Sequence, residues 1–97
     1  MTSAQRKKLR ALAHHLEPVV YIGKQGLTDA VIAATVRALD DHELIKVRFI
    51  EFKDEKKELT QQLAETTQSG VAGILGHVAI LYREHPDPEQ RKIQFEV

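Results

Sequence analysis

At 97 residues the chain has room for one hydrophobic core of ordinary size and not for two independent ones. An apolar share of 42% supports a folded core, and a charged share of 29% that sums to zero net charge excludes a disordered polyelectrolyte. The same neutrality means that any nucleic-acid contact must rest on local patches rather than on the overall field.

Cysteine is absent, which excludes disulfides, thiolate metal sites and a thiol nucleophile and fits a reducing, cytoplasmic setting. The longest apolar runs fall far short of the roughly 18 residues of a membrane span. The charged stretch from Arg6 to Arg10 lacks the apolar centre of a signal peptide. The expectation is a chain that is neither secreted nor inserted in a membrane. Its charges are unevenly placed: Arg6, Lys7, Lys8 and Arg10 precede the first acid, Glu17, whereas Asp40, Asp41 and Glu43 cluster in the middle and Glu84, Asp87 and Glu89 lie near the end.

From about Thr2 to Leu16, the positions Leu9, Leu12, Ala13 and Leu16 form the stripe of an amphipathic helix, with Thr2 and Gln5 placed for a capping box and Pro18 as its stop. Lys7, Arg10 and His14 share the side away from that stripe, which makes it cationic. Val19-Val20-Tyr21-Ile22 then reads as a strand buried on both faces and ends at Gly23-Lys24-Gln25-Gly26. Thr28 is a good N-cap and Asp29 favours the first turn of a second helix, whose stripe Ile32, Thr35, Val36 and Leu39 runs on to about His42.

Leu44 to Phe52 reads as a second strand, with Ile45, Val47 and Phe49 on one face and Lys46 and Arg48 on the other. Asp54 is placed to cap a third helix to about Gln68, with Leu59 and Leu63 inward and Gly70 as its C-terminal stop. Val71–Leu75 and Val78–Tyr82 suit a tight antiparallel hairpin about Gly76-His77. The order is αβαβαββ, one domain over residues 1–85. Residues 86–97, opened by Pro86-Asp87-Pro88, form a mobile tail or a short extra strand with Ile93, Phe95 and Val97 alternating. The strand–helix–strand unit makes its strands parallel and the hairpin makes the sheet mixed, with the helices packed on it in an α+β, two-layer arrangement.

A glycine loop between a strand and a helix aims backbone N–H groups and the positive helix end at one spot, which suits an anion. Gly23 and Gly26 permit close approach, while Lys24 and Gln25 offer a charge and a donor to phosphate oxygens. A tight turn is the alternative use of the two glycines. The loop has neither the Lys-Ser/Thr of a Walker A loop nor the third glycine of a dinucleotide fingerprint. His14, His15, His42, His77 and His85 match no metal-ligand spacing, and no acid–base–nucleophile set is visible, so the chain reads as non-enzymatic, without cofactor or metal. Lys7, Arg10, Lys46 and Arg48 are the cations that could join the loop on one surface.

The run from Leu12 to Thr28, LAHHLEPVVYIGKQGLT, resembles the start of a CRM domain, the YhbY family. His42-Glu43-Leu44-Ile45-Lys46-Val47 is similar to that family's HELIKV segment, and Leu75-Gly76 with Ile80-Leu81-Tyr82-Arg83 resembles its closing hairpin, so the likeness spans about Leu9 to Arg83. The resemblance implies a four-stranded mixed sheet akin to the C-terminal domain of translation initiation factor three. It also implies RNA binding through the GxxG motif, here Gly23 to Gly26, and the basic surface beside it. A solitary short domain resembles the bacterial members, which are associated with precursors of the large ribosomal subunit, and this implies ribosomal RNA as partner, ribosomal proteins as possible neighbours and a role in ribosome biogenesis. The alternative is a protein-interaction adaptor on assembling ribosomes, using the acids Asp40, Asp41 and Glu43 or the apolar tail.

Overall fold

The computed structural model describes residues 1–95. Helix α1 spans Ser3–Ala13 and begins in the expected capping box: the Thr2 hydroxyl accepts the Gln5 N–H at 3.1 Å and the Gln5 side chain accepts the Thr2 N–H at 2.9 Å. It ends before the two histidines rather than at Leu16; Leu9 and Ala13 are buried, while Leu12 and Leu16 stay partly exposed. Strand β1 is Val20–Ile22, α2 is Asp29–His42 and β2 is Leu44–Phe49. Thr28 caps α2 through the Val31 N–H at 3.1 Å, and the helix runs to His42 as its stripe requires.

Two boundaries of the third helix depart from expectation. Asp54 lies inside a short 3-10 turn, Lys53–Glu55, and makes no cap; α3 begins at Lys56 and ends at Thr67. Its C-cap is Gln68 in the left-handed region, φ 57°, and Gly70 instead opens strand β3, Gly70–Leu75. Strand β4, Val78–Tyr82, closes the hairpin about Gly76, whose φ of 58° suits the turn.

The four strands lie in the order β1-β2-β4-β3, with β1 parallel to β2 and the other pairs antiparallel. One face carries Val20, Ile22, Ile45, Val47, Phe49, Ala79 and Leu81, which pack against Leu39 of α2 and Leu63 and Ala64 of α3. This is the main core. Helix α1 lies on the opposite face, where Leu9 and Ala13 bury Leu44, Ala72, Ile80 and Tyr82, so over that half of the sheet the two layers become three. Arg83 ties the two helices of the main face, donating to the Thr67 carbonyl at 2.8 Å and the Val36 carbonyl at 3.3 Å and pairing with Asp40.

The segment after β4 is neither a strand nor loose over its described part. A 3-10 turn, Pro88–Gln90, leads into an extended run whose Ile93 and Phe95 pack on the α1 side of the core; Val97 lies outside the described residues. Glu43 organises it. This acid is only 1% exposed, with a left-handed φ of 63° at the end of α2. Its carboxylate accepts the N–H of His85 at 2.7 Å, of Ile93 at 3.0 Å and of Lys92. Burial alone raises the pKa of such a group, but these backbone bonds and the charge of His85 outweigh it, so Glu43 sits below the usual carboxylate range. Glu43 is therefore not part of an acidic surface, as the run Asp40-Asp41-His42-Glu43 suggests, because three N–H groups need its charge inside.

Candidate nucleic-acid interface

The GKQG segment forms a turn closed by the Gly26 N–H on the Gly23 carbonyl at 3.0 Å. Lys24 and Gln25 keep negative φ, as in a type I turn, which favours glycine at its fourth position; Gly26 there has φ 71°. A Cβ on Gly26 would lie 3.6 Å from the Phe52 ring, whereas one on Gly23 would meet nothing within 4 Å. Gly26 thus serves the turn, and Gly23 answers no steric or dihedral need of the fold. The N–H groups of Lys24 and Gln25 find no protein acceptor among the described residues, and both side chains are exposed. At the start of α2 the positive end is partly offset by Asp29.

The loop sits where it does because the chain leaving β2 turns over the end of β1. The Ile22 carbonyl accepts the N–H groups of Ile50 at 2.9 Å and Glu51 at 3.2 Å, which brings Phe52, itself at φ 57°, against Gly26. Between the two loops is a cleft lined by Lys24, Phe52 and Lys53, with Glu51, Asp54 and Glu55 on its wall.

Cations extend from there across the end of the sheet. Lys56 bonds the Gly76 carbonyl and lies 3.4 Å from the His77 ring. Partial desolvation, then the charges of Lys56, Lys53 and Arg48, push the His77 imidazole below its ordinary range. Arg48 in turn lines a second cleft with Lys46 and His14, where the Lys46 ammonium donates to the Leu16 carbonyl at 3.0 Å.

Of the cations expected from sequence, Lys46 and Arg48 line one cleft and Lys24 lines the other. Arg10 does not join them: its guanidinium donates to the Ala72 carbonyl at 3.0 Å, and its stem lies where a Cβ on Gly73 would intrude, so it fastens α1 to β3. Lys7 is exposed on α1 and lines neither cleft. Sequence reasoning passed over Lys53, Lys56 and His77, because their signal is only a charged run and a hairpin turn. It also placed Tyr21 in a strand buried on both faces, whereas β1 is an edge strand and Tyr21 is 53% exposed.

A small α+β domain with a polar glycine turn and cations at one end of its sheet presents groups that suit an anionic ligand. The CRS1 / YhbY (CRM) domain model matches residues 1–83, and the chain belongs to that family. It is 39% identical over 95 residues to a Haemophilus influenzae protein named RNA-binding protein, covering 97% of this chain and 93% of the relative. A Pseudomonas aeruginosa protein named a probable RNA-binding protein is 36% identical over 91 residues, covering 93% and 88%. The solution structure of a hypothetical protein from Staphylococcus aureus superposes with a TM-score of 0.82 at 34% identity, covering 97% of this chain and 99% of that one.

Proposed function

We propose that this protein is a non-enzymatic RNA-binding module that engages structured ribosomal RNA of a large-subunit precursor, in the cytoplasm, through phosphate contacts at Gly23 to Gly26 and the cations beside them. The observation that carries the reading is Gly23. The fold does not require glycine there, yet the residue lies in a turn whose next two N–H groups have no acceptor among the described residues. A phosphate backbone approaching that turn supplies the missing reason. The relatives named as RNA-binding proteins support the same class of ligand.

The adaptor reading is weakened, since Glu43 is buried, Asp40 is paired with Arg83, and Ile93 and Phe95 pack on the core, although Asp41 stays exposed. Crosslinking in cells followed by sequencing of the bound RNA tests the proposal, with enrichment of large-subunit precursor RNA expected. In vitro, affinity for structured RNA falls steeply with salt as counterions are released. Salt-insensitive binding, or protein crosslinks without enriched RNA, overturns it.

A further inference from the structure

The face of the sheet opposite α2 and α3 is only half covered. Helix α1 and the C-terminal segment shield Leu44, Ile80 and Tyr82, and the strand register shows what remains beyond them. Tyr21 lies beside Arg48, Arg48 beside Val78, and Val78 beside Leu75, a single row across all four strands on one face. Within it Tyr21 is 53% exposed and Leu75 62% exposed, and Val19 stands open on the same side of β1. An apolar and aromatic row of this kind is not what a solvent-facing strand requires.

We propose that this row, centred on Tyr21 and Arg48, is a stacking platform for unpaired RNA bases, so that the preferred ligand is structured RNA with a loop or unpaired end rather than a continuous duplex. The inference rests on the RNA-binding reading and names the class of RNA. Four observations support it. The Tyr21 hydroxyl donates to the Pro18 carbonyl at 3.3 Å, which orients the ring on the open face before any ligand arrives. Arg48, its neighbour across the strands, makes no ion pair among the described residues, leaving a planar cation free to stack or to meet a phosphate. The charge of the surroundings is complementary to RNA: His14, Lys46 and Arg48 line the cleft over this face against one acid, Glu17. Tyr21 also lies two residues before Gly23, so a strand held at the glycine turn passes directly to the platform. Bases stack on aromatic rings with little sequence preference, because every base has a π face.

The test compares a stem-loop RNA with the same stem as a blunt duplex, at one salt concentration. Wild-type protein binds the stem-loop more tightly. Tyr21→Ala weakens the stem-loop about ten-fold, within the usual worth of one stacked base, leaves the duplex unchanged and so abolishes the preference, while Tyr21→Phe retains it. The wild-type chain supplies a readout that needs no variant: it has no tryptophan, and of its two tyrosines Tyr82 is buried, so stem-loop binding quenches tyrosine emission more than duplex binding does. Tight binding of both RNAs with no preference, or equal losses for both in Tyr21→Ala, overturns the platform and leaves the RNA reading standing. Binding of neither RNA by the wild type overturns both. Unchanged affinities in Tyr21→Ala, together with lost protein crosslinks in cells, reassign the face to a protein partner.

Discussion

The carboxylate of Glu43 accepts the backbone N–H of Ile93 at 3.0 Å, across 50 residues of chain. With His85 and Lys92 as further donors, one buried acid at the end of α2 fixes the path of the C-terminal segment over α1. Glu43→Gln keeps the shape but loses charge-assisted bonds, worth about 1.5–3 kcal/mol each when made to an ionised group. The variant is expected to lose ~2 kcal/mol or more of stability, read in chemical denaturation, with RNA affinity unchanged because the loop is remote from this clasp. Equal stability of variant and wild type would show that the clasp holds nothing.

The same group gives the molecule a pH dependence whose sign follows from its lowered pKa. A carboxylate depressed in the folded state contributes stability that is complete above the unfolded value and is lost as pH falls through the lower, folded value. Wild-type stability is expected to decline over that acidic window more steeply than that of Glu43→Gln. Parallel declines for the two proteins in pH-dependent melting would remove Glu43 as the cause.

The two loop glycines are expected to part company. Gly26→Ala forces a Cβ onto a residue at φ 71° and costs about 1 kcal/mol of stability. Gly23→Ala meets open space and leaves the melting temperature near wild type, yet weakens RNA binding because the added methyl stands where the backbone of the ligand must approach. RNA titration and melting curves on both variants decide this; full RNA affinity in Gly23→Ala would leave that glycine without a function.

Helix α2 was legible from Thr28 to His42, and so was the hairpin about Gly76, because caps, periodicity and turn residues are local signals. The family and its glycine turn were legible for the same reason. What was hidden depended on distant partners. Glu43 looks like one more acid in a charged run, and its burial depends on N–H groups that come 42 to 50 residues later. Tyr21 reads as core until the strand order places β1 at an edge. Arg10 reads as a surface cation until Gly73 makes room for it against β3.

His77 offers a titratable probe of the cationic band. Its imidazole lies below the ordinary range through desolvation and then through the charges of Lys56, Lys53 and Arg48. Removing a cation relieves that repulsion, so Lys56→Ala is expected to raise the His77 pKa in the free protein. RNA phosphates near the band act in the same direction by favouring the protonated ring. Linkage then requires RNA affinity to increase as pH falls through the His77 titration. Proton NMR titrations of the ring with and without RNA measure both effects, and a His77 pKa indifferent to RNA would place the phosphates elsewhere.

Lys24 stands at the tip of the turn beside N–H groups with no acceptor among the described residues, so its charge acts where backbone donors already converge. Lys24→Ala is expected to weaken binding to structured RNA roughly ten-fold, the scale of one charge-assisted contact. Lys24→Glu should lose more, because it adds repulsion to the lost attraction. Both substitutions are exposed and should leave stability within ~0.5 kcal/mol. The matched control is Arg37→Glu, an identical charge change at an exposed position of α2, eight residues after the Asp29 start of that helix and on the covered side of the sheet. Diffuse attraction would make the two reversals equally harmful, whereas a localised site makes Lys24→Glu far worse. Titrations across a salt series sharpen the comparison, since Lys24→Ala should flatten the salt dependence by about one phosphate contact while Arg37→Glu leaves the slope nearly intact. Equal losses and equal slopes for Lys24→Glu and Arg37→Glu would defeat the loop as the organising contact.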